Sequence, residues 1–305
     1  MLAREAAVNY AGRDGRTMTG AANSLIGAEL GSRFTDLRVL RAGSRFTIYE
    51  GRELGANRMI VVKVPDHGSP WLNDVIEREA EVLAAISSHP HVVTLYQRIT
   101  LDDGRPALLL ERCLGTLYDS VHGDDEAMSV QEVVATGIKL AGALETLHRY
   151  GVLHCDVRPR TVLMTEWGEP TLAGFDETVE ISALGARPPL HNLTPHTAPE
   201  LLEGAEPSPA SDVYGLASTL YELAAGRAAF RAYVGESPAS VIVRVLSSRA
   251  KPVVAPQVPL ELTDLISWAM SPEPAQRPPS PAWLAEELGH IENRQGWPRT
   301  RFVTG

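Results

Sequence analysis

Residues 154–176, HCDVRPRTVLMTEWGEPTLAGFD, gather an imidazole, a thiol, carboxylates and guanidinium groups into one short stretch. Carboxylates such as Asp156 and Asp176 are oxygen ligands of the kind that hard cations take. A second group lies upstream. Lys63 sits in the strand-like run MIVVKV, and Glu79 in WLNDVIEREAEVLAAI. In that run Ile76, Glu79 or Ala80, Leu83 and Ile86 fall on one helical stripe, which puts a carboxylate at the edge of a buried face. Such a group wants a cation. Cys155 reads either as a reactive thiol, which needs a cationic setting that only Arg158 visibly offers, or as a buried inert cysteine, the preferred reading.

The segments LRVLRAG, RFTIYEGRE and MIVVKV are β-rich and separated by Gly-containing turns, which predicts a small antiparallel sheet. Two further strands are expected near HVVTLYQRI and ALLLERC. Beyond them the chain turns mostly helical, with MSVQEVVATGIKLAGALETLHRY the clearest amphipathic run and a hairpin, VLMTEWGEPTLA, turning at Gly168. Later helices are expected in SDVYGLASTLYELAAG, SPASVIVRVLS, LTDLISWAM and SPAWLAEELGHIE, several opened by Ser or Thr in capping positions. The pattern is an α+β class: a mobile tail over 1–33, a β-rich lobe over 34–112, a larger helical lobe over 113–292 and a polar tail over 293–305.

The 305 residues can bury a large core, and the composition is that of an ordinary globular protein. A formal charge of −10 argues against nucleic acid as a partner, since that affinity rests on concentrated Lys and Arg. Cys113 and Cys155 suggest neither a disulfide framework nor a zinc site, and the nine histidines show no metal-ligand spacing. No apolar run approaches the roughly 18 residues that span a bilayer, and the N-terminus lacks the apolar core of a signal peptide. The expectation is a cytoplasmic protein without membrane contact.

Taken singly each motif is weak; order and spacing carry the argument. Lys63, Glu79, His154 with Asp156, Ala198-Pro199-Glu200, Asp212 in SDVYGL and Arg277 before Pro278 stand at the intervals of a bacterial, actinobacterial-type Ser/Thr protein kinase domain. The chain resembles that family over roughly residues 34 to 290. It is similar in particular to the N-terminal kinase domain of mycobacterial kinases fused to a LuxR-type regulator, in phrases such as GIKLAGALETLHRYGVLH. The resemblance implies a bilobal kinase-like fold and ATP as the ligand. It assigns Lys63 to the α- and β-phosphates, paired with Glu79, and Asp156 to accepting the substrate hydroxyl proton. Arg158 stands for the loop lysine near the γ-phosphate. Leu110 takes the gatekeeper position, Glu111 to Cys113 the hinge, and Ile48 and Val61 the two sides of the adenine ring. His154 takes the part of the loop's core histidine under Phe175. Glu200 with Arg277, and Asp212 with the loop backbone, become buried struts.

The departures concern metal and phosphate. Thr161 stands where the family has asparagine and Gly174 where it has the aspartate of D-F-G, so Mg²⁺ is expected to lack its ligands. Asp176 offers a rescue only if the segment is extended, and then with a displacement of about 6–7 Å, far beyond the roughly 0.5 Å tolerance of a preorganised site. Of three phosphate-loop glycines only Gly43 remains, with Arg41 and Phe46 at the other positions. Phe46 is expected to fold over the site. Either Leu193 or Thr194 occupies the activation-segment threonine position. The leading expectation is a pseudokinase, a regulatory or interaction module for an unidentified protein partner that holds ATP weakly or without metal. Two alternatives stand beside it: an active Ser/Thr kinase with an improvised site, and a nucleotide-free scaffold.

Overall fold

The β-branched and aromatic runs that follow Arg33 form strands. In the computed structural model, which describes residue 30 and residues 33–66, 70–123, 128–185 and 190–305, β1 (Phe34–Ala42), β2 (Phe46–Glu53) and β3 (Arg58–Pro65) pair antiparallel in succession. After α1 (Pro70–Ile86), β4 (Leu95–Thr100) and β5 (Pro106–Glu111) complete a five-stranded sheet in the order β1-β2-β3-β5-β4. Strand alternation divides its faces. Tyr49, Ile60, Val62, Val64, Ala107 and Leu109 point into one apolar core with Phe34 and Ile99. Leu30 belongs to the same core, so packing reaches back past the boundary expected at Phe34. The rest of the stretch expected to be a mobile tail lies outside the described residues, apart from Arg33. In α1 the predicted stripe is buried, with Ile76, Glu79, Ala80, Leu83 and Ile86 all within it.

The helical part holds β6 (Gly115–Thr116), α2 (Leu117–His122), α3 (Val130–Arg149), β7 (Val152–Leu153), β8 (Val162–Met164), β9 (Pro170–Leu172) and β10 (Val179–Glu180). It continues through α4 (Pro199–Leu202), α5 (Pro209–Ala225), α6 (Pro238–Ser247), α7 (Leu260–Ala269) and α8 (Pro281–Gln295). Side-chain caps start several of these helices: Ser129, Ser237 and Ser280 each accept an N–H of the first turn, at 3.2–3.3 Å. α7 opens without a side-chain cap. Pro259 stands at its start and Thr263 is buried inside it. β8 and β9 form the expected hairpin, with Gly168 in the left-handed region at φ +76°.

The chain divides into two compact units, Met1–Ala80 with Thr94–Arg112, and Glu81–Val93 with Cys113–Gly305. One boundary falls after Arg112, and residues 81–93 belong to the helical unit. Backbone pairing explains this: Val93 N–H donates to Leu172 O, and Leu172 N–H to His91 O, each at 2.9 Å, which ties that segment to β9. The expected polar tail is anchored as well. His89 Nε2 donates to Val303 O at 2.9 Å, and Gly305 N–H to Thr146 Oγ1 at 3.0 Å. Among the described residues no helix is long and apolar enough to cross a membrane.

One buried ion pair braces the helical unit. Arg277, fully buried, grips Glu200 with both Nη1 and Nη2 at 2.7 Å and donates further to Ser271, Ala210 and Pro272 carbonyls. Removing one partner leaves a buried charge without compensation, which typically costs about 3–5 kcal/mol. Arg277→Met is expected to lower unfolding stability by that order in urea denaturation, and Glu200→Gln by a similar amount. A loss below about 1 kcal/mol would contradict the assignment.

Candidate functional site

In the β-rich unit, antiparallel register sets Ile48 opposite Lys63, and Glu50 opposite Val61. Lys63 Nζ lies 2.6 Å from Glu79 Oε2, with the two side chains only 8% and 2% exposed. The expected pair therefore forms. The Phe46 ring lies over the ammonium as well, its centroid 4.4 Å from Nζ. Gly43 donates its N–H to Phe46 O at 3.0 Å and closes the β1–β2 turn that positions this ring. Leu110 is buried on β5, while Glu111 at the strand end accepts the Thr94 hydroxyl at 2.9 Å. Ile48, Val61 and Cys113 are half-buried.

A further charged group in this unit was not anticipated from sequence. Glu50, buried on β2, is held by Arg38 Nε at 2.9 Å and Arg112 Nε at 2.8 Å. Burial alone would push its carboxyl up, but these two guanidinium groups outweigh it and hold it below the usual range. Arg38 and Arg112 look like surface charges in a linear reading, because only strand pairing brings them to Glu50.

In the helical unit the loop after β7 is set by Asp212 on α5. Its Oδ2 accepts His154 N–H and its Oδ1 accepts Cys155 N–H, both at 2.8 Å, while His148 Nε2 donates to Oδ2 at 2.8 Å. Burial opposes the Asp212 charge, yet these donors hold its carboxyl below the ordinary range. Cys155 is thereby kept at φ +64°, a left-handed conformation uncommon outside glycine. Gly215, one turn along α5, makes the approach possible: a Cβ there would meet Val157 O at 2.9 Å. His154 Nε2 donates to Ala173 O at 3.1 Å, and its ring packs edge-on to Phe175 with centroids 5.0 Å apart. Burial pushes its imidazole pKa down, so this histidine is a neutral core group.

Asp156 is enclosed on both oxygens. Arg158 Nε lies 2.8 Å from Oδ1 as a charge pair off the hydrogen-bonding line, and Asn192 Nδ2 donates to Oδ2 at 2.8 Å. Burial pushes the Asp156 carboxyl up to about 7, with Asp176 adding to the rise and Arg158 opposing it. Asn192 carried no signal in sequence, where Leu193 and Thr194 were the alternatives. Leu193 is exposed, and Thr194 is tied into a turn by Thr197, whose Oγ1 accepts its N–H at 2.8 Å.

Thr161 and Gly174 are packed against each other. The Thr161 hydroxyl donates to Asp156 O at 2.6 Å and accepts Arg158 N–H at 3.2 Å, so it serves the loop backbone. Gly174 sits at φ +75°, and a Cβ there would lie 2.8 Å from Thr161 Cγ2. Thr161 thus fills the space in which a side chain at 174 would start. The extended segment that would turn Asp176 the same way as position 174 is absent, because Phe175–Glu177 forms a 3₁₀ turn. Neither position 161 nor position 174 carries a carboxylate or side-chain amide oxygen. Among the described residues no group of three or more His, Cys, Asp or Glu is set to hold a metal ion.

Two outcomes follow for this loop. Gly174→Ala is expected to destabilise the fold by about 1–3 kcal/mol through strain and overpacking. The loss should shrink on a Thr161→Ser background, where the methyl is gone and the hydroxyl bonds remain; strict additivity in denaturation would refute the contact. Asp156 gives a pH signature. With its folded pKa raised from 3.8 to about 7, the folded state binds the proton more tightly, so its contribution declines as pH rises from about 4 to 7 and is flat above. The stability of Asp156→Asn relative to wild type should therefore grow by about 1–3 kcal/mol between pH 5 and pH 8. A constant difference would show an ordinary carboxylate.

Known proteins are similar to this chain in sequence. The protein kinase domain family matches residues 34–288. The serine/threonine-protein kinase PknK of Mycobacterium tuberculosis is 32% identical over 267 residues, covering 86% of this chain and 24% of that protein, as is PknK of Mycobacterium bovis. The serine/threonine-protein kinase PkaB of Streptomyces coelicolor is 27% identical over 261 residues, 82% of this chain and 61% of PkaB. The chain spans about a quarter of the length of the PknK proteins. A match that takes in both the β-rich sheet and the helical unit makes this chain a member of the protein kinase domain family.

Proposed function

We propose that this chain is a pseudokinase, a cytoplasmic interaction or regulatory module that retains the kinase fold and holds ATP weakly and without metal. The observation that carries the reading is the pair at 161 and 174. The Thr161 hydroxyl is committed to the loop backbone, and its methyl fills the space beside a glycine that has no side chain to coordinate with. Phosphoryl transfer depends on metal to neutralise phosphate charge, so a loop built this way supports binding more readily than transfer. Lys63 and Glu79 would meet the nucleotide phosphates, and Ile48, Val61, Leu110, Glu111 and Cys113 its base. Phe46 over Lys63 weakens that contact by covering the ammonium.

A second reading, a slow Ser/Thr kinase, draws on Asp156. A carboxyl at about 7 is poised for proton transfer near neutral pH, with Arg158 beside it.

Calorimetric titration of ATP, once with Mg²⁺ and once with EDTA, separates these readings. The expected result is weak binding indifferent to Mg²⁺, lost in Lys63→Ala and strengthened in Phe46→Ala. Tighter binding with Mg²⁺ would overturn the proposal in favour of the kinase. Absence of heat from wild type and Phe46→Ala alike would leave a nucleotide-free scaffold.

A further inference from the structure

Glycine is an unfavourable choice inside a helix, yet Gly142 stands in the interior of α3. A Cβ there would meet the Val303 carbonyl oxygen well inside contact distance. The bare position is a floor over which the main chain of residues 298–305 passes, and that segment forms no helix or strand of its own. Side chains of the helical unit hold it along its length. Glu292 on α8, 1% exposed, accepts the Thr300 N–H with Oε2 at 2.9 Å and the Thr300 hydroxyl with Oε1 at 2.5 Å. His89 Nε2 donates to Val303 O, Arg149 Nη1 donates to the Thr304 hydroxyl at 3.1 Å, and Thr146 Oγ1 accepts the Gly305 N–H.

His89 carries this contact further into the unit. Its Nδ1 accepts the His91 N–H at 3.1 Å, so both ring nitrogens are used, and burial holds the imidazole pKa below its ordinary value and the ring neutral. His91 in turn donates from Nδ1 to Pro170 O at 2.9 Å, while its backbone oxygen takes the Leu172 N–H. β9 thus rests on residues that His89 orders, and Ala173, next along the chain, donates its N–H to Thr161 O at 2.8 Å. All of these groups lie in one compact unit. A segment held by a few side-chain bonds, without a backbone ladder, opens at lower cost than the helices beneath it.

We propose that residues 298–305 are a releasable strap, a main-chain ligand built into the chain, whose seating on Gly142, His89 and Glu292 fixes residues 89–93 against β9. Drawing the strap away strips the Glu292 carboxylate of the Thr300 donors and His89 of its acceptor, and loosens the backbone that leads to Gly174. The seating of the strap thereby sets the order of the loop that holds Thr161 and Gly174. The device requires no nucleotide.

Trypsin digestion and hydrogen exchange read by mass spectrometry test this on the full chain without nucleotide or metal, comparing wild type with Gly142→Ala. Alanine suits the helix better than glycine but denies the strap its floor. Cleavage after Arg299 and Arg301, both exposed on the strap, is expected to run about tenfold or more faster in the variant, and the amides of residues 89–93 to exchange faster by a similar factor, with α5 amides unchanged. Thr300→Val, which removes one donor from Glu292 and keeps the shape, should accelerate the same two readouts by a smaller factor. Faster cleavage with unchanged exchange at 89–93 would make the segment a passive tail and overturn the coupling. Unchanged cleavage in both variants would overturn the seat itself. If Gly142→Ala loosens α5 as well, Thr300→Val decides by the same criteria.

Discussion

The helical unit depends on a buried carboxylate. Asp212 sits inside α5, 1% exposed, and a lone charge there would cost several kcal/mol. It is tolerated because His148 and the backbone N–H groups of His154 and Cys155 all donate to it. Hydrogen bonds to a charged group contribute about 1.5–3 kcal/mol each. The same bonds hold the loop in a conformation that Cys155 would not adopt alone, with φ in the left-handed region. Asp156, Arg158 and Thr161 take their positions from that loop, and Gly215 lets α5 come close enough to hold it.

Against this intact frame, polar groups that could act outward are turned inward. Thr161 closes its own loop, Arg158 leans on Asp156, Asn192 caps the other Asp156 oxygen, and Phe46 covers Lys63. The Thr161, Asn192 and Lys63 groups are engaged within the fold, while Arg158 Nε meets Asp156 as a charge without a hydrogen bond.

Much of the frame was legible in sequence because it follows local rules. The α1 stripe that buried Glu79 comes from helical period, the β8–β9 hairpin from a turn at Gly168, and the helix starts at Ser129, Ser237 and Ser280 from capping chemistry. The Lys63–Glu79 and Glu200–Arg277 pairs were legible through family spacing. Asn192, His148, Glu50 with its two arginines, and the histidines on Glu222 were not. Each joins residues at least a dozen positions apart, and no period along the chain marks such a meeting.

The sequence by itself determined the α+β class, the family and the identities at positions 161 and 174, because those depend on residue type, period and interval. Tertiary structure decided what the substitutions mean physically. The filling of the space beside Gly174 by the Thr161 methyl, the 3₁₀ turn that removes Asp176 from line with it, and the rise of the Asp156 carboxyl to about 7 arise from packing and desolvation. Those are properties of neighbours in space, set only once the chain has closed on itself.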